Sequence, residues 1–160
     1  MLSQIQYLSQ VAEGRYATDE ELQFISSYFQ SYELRLSAYT RLQGAEATIV
    51  QQVQTKLRSL DPTLLHSGAE DVTAKWRRDT IRVLRYSAIA MLLNDADGLR
   101  NRLLYWMQTV MKAFGAQRSC DATYQLMQDV VQQHLTPAEA RLFCPILQLN
   151  RALLGGNSEP

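Results

Sequence analysis

Apolar residues recur at three- and four-residue steps along most of the chain, the spacing that lines one face of an α-helix. Between Glu33 and Leu60 the positions Leu34, Ala38, Leu42, Ala45, Ile49 and Val53 keep that step. Ile81, Leu84, Ala88, Met91 and Leu92 form a second stripe, and Leu99, Leu103, Trp106, Val110 and Ala113 a third. No segment alternates apolar and polar residues over a β-branched run, so the pattern predicts no strand.

Polar punctuation sets the bounds of these helices. "TDEEL" from Thr18 is a capping box, with Glu21 three residues on, and opens a short helix carrying Leu22, Ile25, Ser26 and Phe29 on one stripe. A separate long helix follows from Glu33 and stops at Asp61-Pro62, because proline cannot continue the ladder and restricts the residue before it. Residues 63–72, "TLLHSGAEDV", read as a loop. The helix containing "KWRRD" (75–79) comes next and ends at Asn94-Asp95.

A further helix is predicted over about 97–114 with Gly115 as its C′ residue, and another over about 121–134. "TPAE" at Thr136 starts the last, which runs to Leu154 and carries a kink-inducing Pro145. The sum is an all-α fold of six or seven helices with an N-terminal helical extension. Without heptads, such a series reads as a globin-like stack and not a coiled coil. Residues 1–155 are expected to form one domain and 156–160 a disordered tail.

Composition narrows the function. A hydrophobic content of 46% is enough for a continuous core without a disulfide or metal staple. The formal net charge of zero argues against a nucleic-acid protein, because phosphate binding needs a concentrated basic surface. Arg77, Arg78, Arg82 and Arg85 nonetheless form a local basic cluster, suited to an anion. Cys120 and Cys144 are the two cysteines, too few for a disulfide framework and without metal-ligand spacing, which favours a reducing compartment. The N-terminus has no basic-then-apolar leader pattern, and no window approaches the ~18 apolar residues of a membrane span. A cytoplasmic location is expected.

Catalytic chemistry is not visible. His66 and His134 are the two histidines, and neither has an acid or cysteine partner at a spacing that suggests a triad. No glycine-rich loop precedes a helix, and no metal-ligand set stands out. An enzyme is not expected; haem ligation by His134 stands as a minor alternative.

Two stretches carry a family resemblance. "GRYATDEELQFISSYFQSYELRLSAYTRLQGAEATIVQQVQTKL" (14–57) resembles the N-terminal half of phycobiliprotein subunits, the allophycocyanin and phycocyanin chains. "KWRRDTIRVLRYSAIAMLLND" (75–95) resembles their bilin-binding helix, where lysine, cysteine, any residue, arginine and aspartate are followed by a leucine-arginine-tyrosine segment. "MKAFGA" (111–116) and the glycine-terminated last helix are also similar, so the likeness covers about residues 10 to 155. The resemblance implies a globin-like phycobiliprotein fold. It further implies that Arg78 pairs with a bilin propionate, that Asp79 accepts hydrogen bonds from pyrrole N–H groups, and that Lys75 reaches the other propionate. Such roles make physical sense: a guanidinium grips a carboxylate through a fork, and a carboxylate favours protonated tetrapyrrole nitrogens.

Trp76 stands where the family carries its chromophore-attaching cysteine, so no thioether can form there. A cysteine-less relative of this kind is similar to globins associated with bilin biosynthesis. The resemblance therefore implies a non-covalently held linear tetrapyrrole, phycocyanobilin or biliverdin, with Arg78, Asp79, Lys75, Trp76, Arg77 and Arg82 as the cofactor-binding residues. Implied partners are bilin-biosynthesis enzymes, lyases or phycobilisome subunits, with homodimeric or αβ-like pairing and a site of action in the cytoplasm or at the thylakoid surface through a phycobilisome. Trp76 serves either as a plug or as a stacking surface. If it plugs the pocket, the alternative is a chromophore-free structural or regulatory protein docking on phycobilisome subunits.

Overall fold

A computed structural model describes residues 1–156; most of the expected 156–160 tail lies outside the described residues. The chain begins with α1 (Leu2–Val11), an exposed helix whose terminal amine donates to the Asn94 carbonyl and lies 3.8 Å from Asp95 Oδ1. A single 42-residue helix, α2 (Asp19–Leu60), replaces the two helices expected from 18 and from 33. Nothing between Phe29 and Glu33 breaks the ladder. There is no glycine or proline there, and the Ser31 hydroxyl donates back to the Ser27 and Tyr28 carbonyls within the helix. At roughly 1.5 Å per residue this helix is about 63 Å long.

The Thr18 capping box forms as the sequence predicts, with Glu21 N donating to Thr18 Oγ1 at 3.2 Å and Thr18 N to Glu21 Oε2 at 2.8 Å. Thr136 and Glu139 repeat it at 3.3 and 2.8 Å, opening α7 (Pro137–Leu154). The segment read as a loop contains a 3₁₀ turn (Pro62–Leu65) and a minimal antiparallel hairpin, β1 (His66–Ser67) with β2 (Glu70–Asp71), turned through Gly68 at φ +60°. This corrects the expectation of no strand. Two-residue strands are too short to show alternation.

α3 (Thr73–Leu93) ends on Asn94 in the left-handed conformation, at φ 48°. The next helix is interrupted: α4 (Ala96–Leu99) passes into a wide π turn (Arg100–Leu104) and then α5 (Tyr105–Ala113). A π turn holds an extra residue and so rotates the face that follows it. Met107 and Met111 consequently point inward after Leu99 and Leu103, while Trp106, expected inside, is 56% exposed, and Ala113 is exposed too. α6 (Gln117–Val131) follows the turn at Gly115 (φ +64°).

α2 packs against α3, α6 and α7, and α6 against α7. Their apolar stripes meet in one core, with Leu42, Ile49, Leu57, Leu84, Met127, Phe143 and Leu147 at its centre. Among the described residues no helix is long and apolar enough to cross a membrane.

Candidate functional site

α3 presents two outward faces, because residues three or four apart share a side and their neighbours do not. Val72, Lys75, Trp76, Asp79 and Thr80 turn toward α5 and α6, where they border a cavity of about 540 Å³. That volume lies within the ~300–1,000 Å³ usual for small-molecule sites. Met107, Met111 and Phe114 supply one wall from α5 and its C-terminal turn, and Cys120, Thr123 and Tyr124 the opposite wall from α6. The hairpin, through His66, Ser67, Gly68 and Glu70, borders the opening.

Trp76 is half-buried and packs on the core edge. Its indole N–H donates to Thr123 Oγ1 at 2.9 Å, and that hydroxyl donates to the Ser119 carbonyl at 2.7 Å. The ring is thus held in the wall, and the cavity stays open beside it. Lys75 Nζ lies 3.7 Å from the centroid of the Phe114 ring, a cation–π contact that holds the ammonium at the rim. Arg118, also at the rim, pairs with Asp61 at 2.5 Å; the same carboxylate accepts from Thr63 N and Oγ1 and lies below its ordinary pKa, mainly through Thr63.

Asp79 is 28% exposed, and Arg78 Nε comes no nearer than 3.8 Å to its Oδ1. Its charge is felt across the cavity. Burial, aided by Asp79, pushes the Cys120 thiol up to about 12. Burial, with Cys120 and Asp79 adding to it, pushes the Tyr124 phenol well above its usual value. Cys120 therefore stays a protonated thiol at neutral pH, and a thiol without its thiolate is a poor nucleophile.

The other face of α3 carries the arginines. Arg77, Arg78, Arg82 and Arg85 line a separate open groove of about 630 Å³, floored by Ala74, Ile81 and Tyr86. Arg85 grips Glu46 through two hydrogen bonds of 2.7 Å, Arg77 donates to Gln51 Oε1 at 3.1 Å, and Arg82 lies 5.6 Å from the Trp106 ring centroid. Of the six residues expected to bind one ligand, the structure brings Lys75, Trp76 and Asp79 together and sets Arg77, Arg78 and Arg82 along the second groove. His134, on the turn after α6, shares a hydrogen bond with Gln52 Oε1 at 2.9 Å.

Several cavity residues were not legible beforehand. Ser119, Cys120, Thr123 and Tyr124 recur at four-residue steps, so that they share one face of their helix. Met107 and Met111 carry no such signal, because the π turn resets their face. Arg118 is separated from Asp61 by 57 positions in sequence, and only folding joins them.

A predominantly helical, globin-like domain with a cavity of this size and a few convergent polar groups has the form of sites built between packed helices. The phycobilisome protein family model matches residues 9–153, and the chain belongs to that family. It is similar to the phycobiliprotein beta chain of Mastigocladus laminosus, 28% identical over 130 residues that cover 78% of this chain and 77% of that one. It is also similar to the allophycocyanin beta chain of a Synechococcus species, 29% identical over 121 residues and 74% of each chain. The allophycocyanin subunit beta-18 of Cyanidium caldarium is 23% identical over 125 residues, 75% of this chain and 74% of that one.

Proposed function

We propose that this protein holds an open-chain tetrapyrrole, biliverdin or phycocyanobilin, without a covalent bond, in the cavity beneath α3. Its work is then to aid bilin biosynthesis, bilin transfer or phycobilisome assembly, and not to harvest light through an attached pigment. The observation that carries this reading is that Trp76 stands in the wall while a cavity of about 540 Å³ remains open with Asp79 on its lining.

The donor set suits such a ligand. Asp79 offers a carboxylate to pyrrole N–H groups, Lys75 a cation at the rim to a propionate, and Met107, Met111 and Trp76 an apolar bed for a flat conjugated system. The bound bilin supplies strong visible absorption. The protonated Cys120 thiol favours a ligand that remains extractable.

Titration of the purified protein with biliverdin and with phycocyanobilin tests this. A sharpened, red-shifted band is expected, lost in Asp79→Asn with the helical circular dichroism retained, and the pigment should leave the chain on a denaturing gel. Absence of any spectral change with either bilin rejects the reading.

The arginine groove favours a second reading, a chromophore-free protein that docks on phycobilisome subunits. Four guanidiniums border it, and Glu46 pairs with one of them. A stoichiometric complex with an antenna subunit on size-exclusion chromatography, indifferent to bilin and lost in Arg82→Glu, would support it over the first.

A further inference from the structure

Tyr124 lies on α6 one turn beyond Cys120, is 3% exposed, and borders the cavity. Its backbone carbonyl accepts from Gln128, but among the described residues its hydroxyl has no hydrogen-bond partner. Nor is that oxygen sealed in the core, where the side-chain oxygen of Asn150 is the atom left without a partner. A buried phenol normally finds a partner for its O–H. A hydroxyl that lacks one, and that opens onto a cavity, is a donor kept for something the cavity receives.

Across the same space Asp79 offers only acceptors. It is near enough to influence the Tyr124 phenol electrostatically, yet no hydrogen bond joins them. Donor and acceptor leave each other unsatisfied, so the gap between α3 and α6 asks for a ligand that brings both N–H and C=O groups. Burial keeps the phenol protonated, and hence a donor, across the ordinary pH range.

We propose that Tyr124 is a ligand-binding residue that donates its hydroxyl to a terminal-ring lactam carbonyl of the tetrapyrrole whose pyrrole N–H groups face Asp79. This rests on the non-covalent bilin reading and adds a selectivity to it. A macrocyclic porphyrin carries the same propionates and inner nitrogens but no lactam carbonyl. It would leave the Tyr124 hydroxyl buried and unmatched, and a site built to hydrogen-bond a group rejects the analogue lacking it.

The test titrates wild type and Tyr124→Phe with biliverdin and with mesoporphyrin IX, and follows the carbonyl stretch of bound biliverdin by resonance Raman. Wild type is expected to prefer biliverdin. Tyr124→Phe, with an unchanged melting temperature, should bind biliverdin about five- to tenfold more weakly, the loss of one net hydrogen bond. Mesoporphyrin affinity should stay within about twofold, and the carbonyl stretch should rise as its donor is removed. Unchanged biliverdin affinity and carbonyl frequency in Tyr124→Phe, or equal wild-type affinity for the two ligands, overturns the role of Tyr124 and leaves non-covalent bilin binding standing. No biliverdin binding by wild type overturns the bilin reading itself, and this role with it.

Discussion

The indole nitrogen of Trp76 donates to the Thr123 hydroxyl at 2.9 Å and so ties α3 to α6 along the wall of the cavity. Trp76→Phe removes the donor and should cost about 1 kcal/mol; Thr123→Val strands the indole N–H and should cost about 1–3 kcal/mol. Because the two share one bond, the double variant should lose less than the sum. Urea denaturation of the four proteins measures that coupling, and strict additivity would show the bond to be idle.

Trp76→Cys puts a thiol at the position where the family resemblance implies pigment attachment. Incubated with phycocyanobilin, the variant should form an adduct that survives a denaturing gel, whereas the wild-type chain should run colourless.

Cys120 gives a pH signature of its own. With its thiol pushed up to about 12, chiefly by burial, its thiolate fraction at pH 8 is roughly a thousandfold below that of an ordinary cysteine. Iodoacetamide should spare Cys120 in the folded protein and label it quickly in urea. Mass spectrometry of the labelled peptides reads the difference, and fast labelling of the native protein would contradict the burial.

Glu139 should shape the acid limb of stability. Its side chain is 2% exposed and accepts from Ser37 Oγ at 2.7 Å, Thr136 N at 2.8 Å and Arg41 Nε at 3.2 Å, joining α7 to α2. Burial works to raise its pKa, but the bonds from Ser37 and Thr136 and the Arg41 charge outweigh it, and the carboxyl ends below its ordinary value. A depressed carboxylate stabilises fully above the unfolded pKa of about 4.3, and that contribution fades as pH falls through the folded value. Melting temperature should therefore drop more steeply below about pH 4 in wild type than in Glu139→Gln. Glu139→Ala, which strands the partners, should cost about 2–4 kcal/mol at pH 7.

The two faces of α3 predict a split among its cations. If the cavity holds the bilin, Lys75→Gln should weaken binding severalfold, while Arg77→Gln and Arg82→Gln, in the other groove, should leave it within about twofold. Arg78→Gln tests the propionate role that the resemblance implies for a side chain 75% exposed and 3.8 Å from Asp79. Absorbance titrations of the four variants against biliverdin decide it.

Local rules made much of the fold readable. Threonine caps at 18 and 136, the Asp61-Pro62 stop, and Asn94 and Gly115 at helix ends are interactions among neighbours in the chain, and each appears where the residues indicate. The apolar steps hold for Ala38, Leu42, Ile49 and Val53 and for Leu84, Ala88 and Met91. Leu22 and Phe29 of the stripe after Thr18 and Trp106 of the third are exposed, and Tyr28 is buried in place of Phe29. No breaker marks residues 29–33, yet a boundary was expected there, and a two-residue strand offers no period to detect.

The cavity is a different kind of fact. The residue types along "KWRRD" announced cations, an indole and a carboxylate, but which of them share a space depended on the rotation of α3 against α5 and α6. The π turn at Arg100–Leu104 exchanged Trp106 for Met107 and Met111, and the packing of α6 brought Thr123 to Trp76 and Tyr124 toward Asp79. Capping and periodicity act over a few residues and are written in the chain order. Contacts over 40 or more positions come from burying several apolar stripes at once, and no single stripe carries that solution.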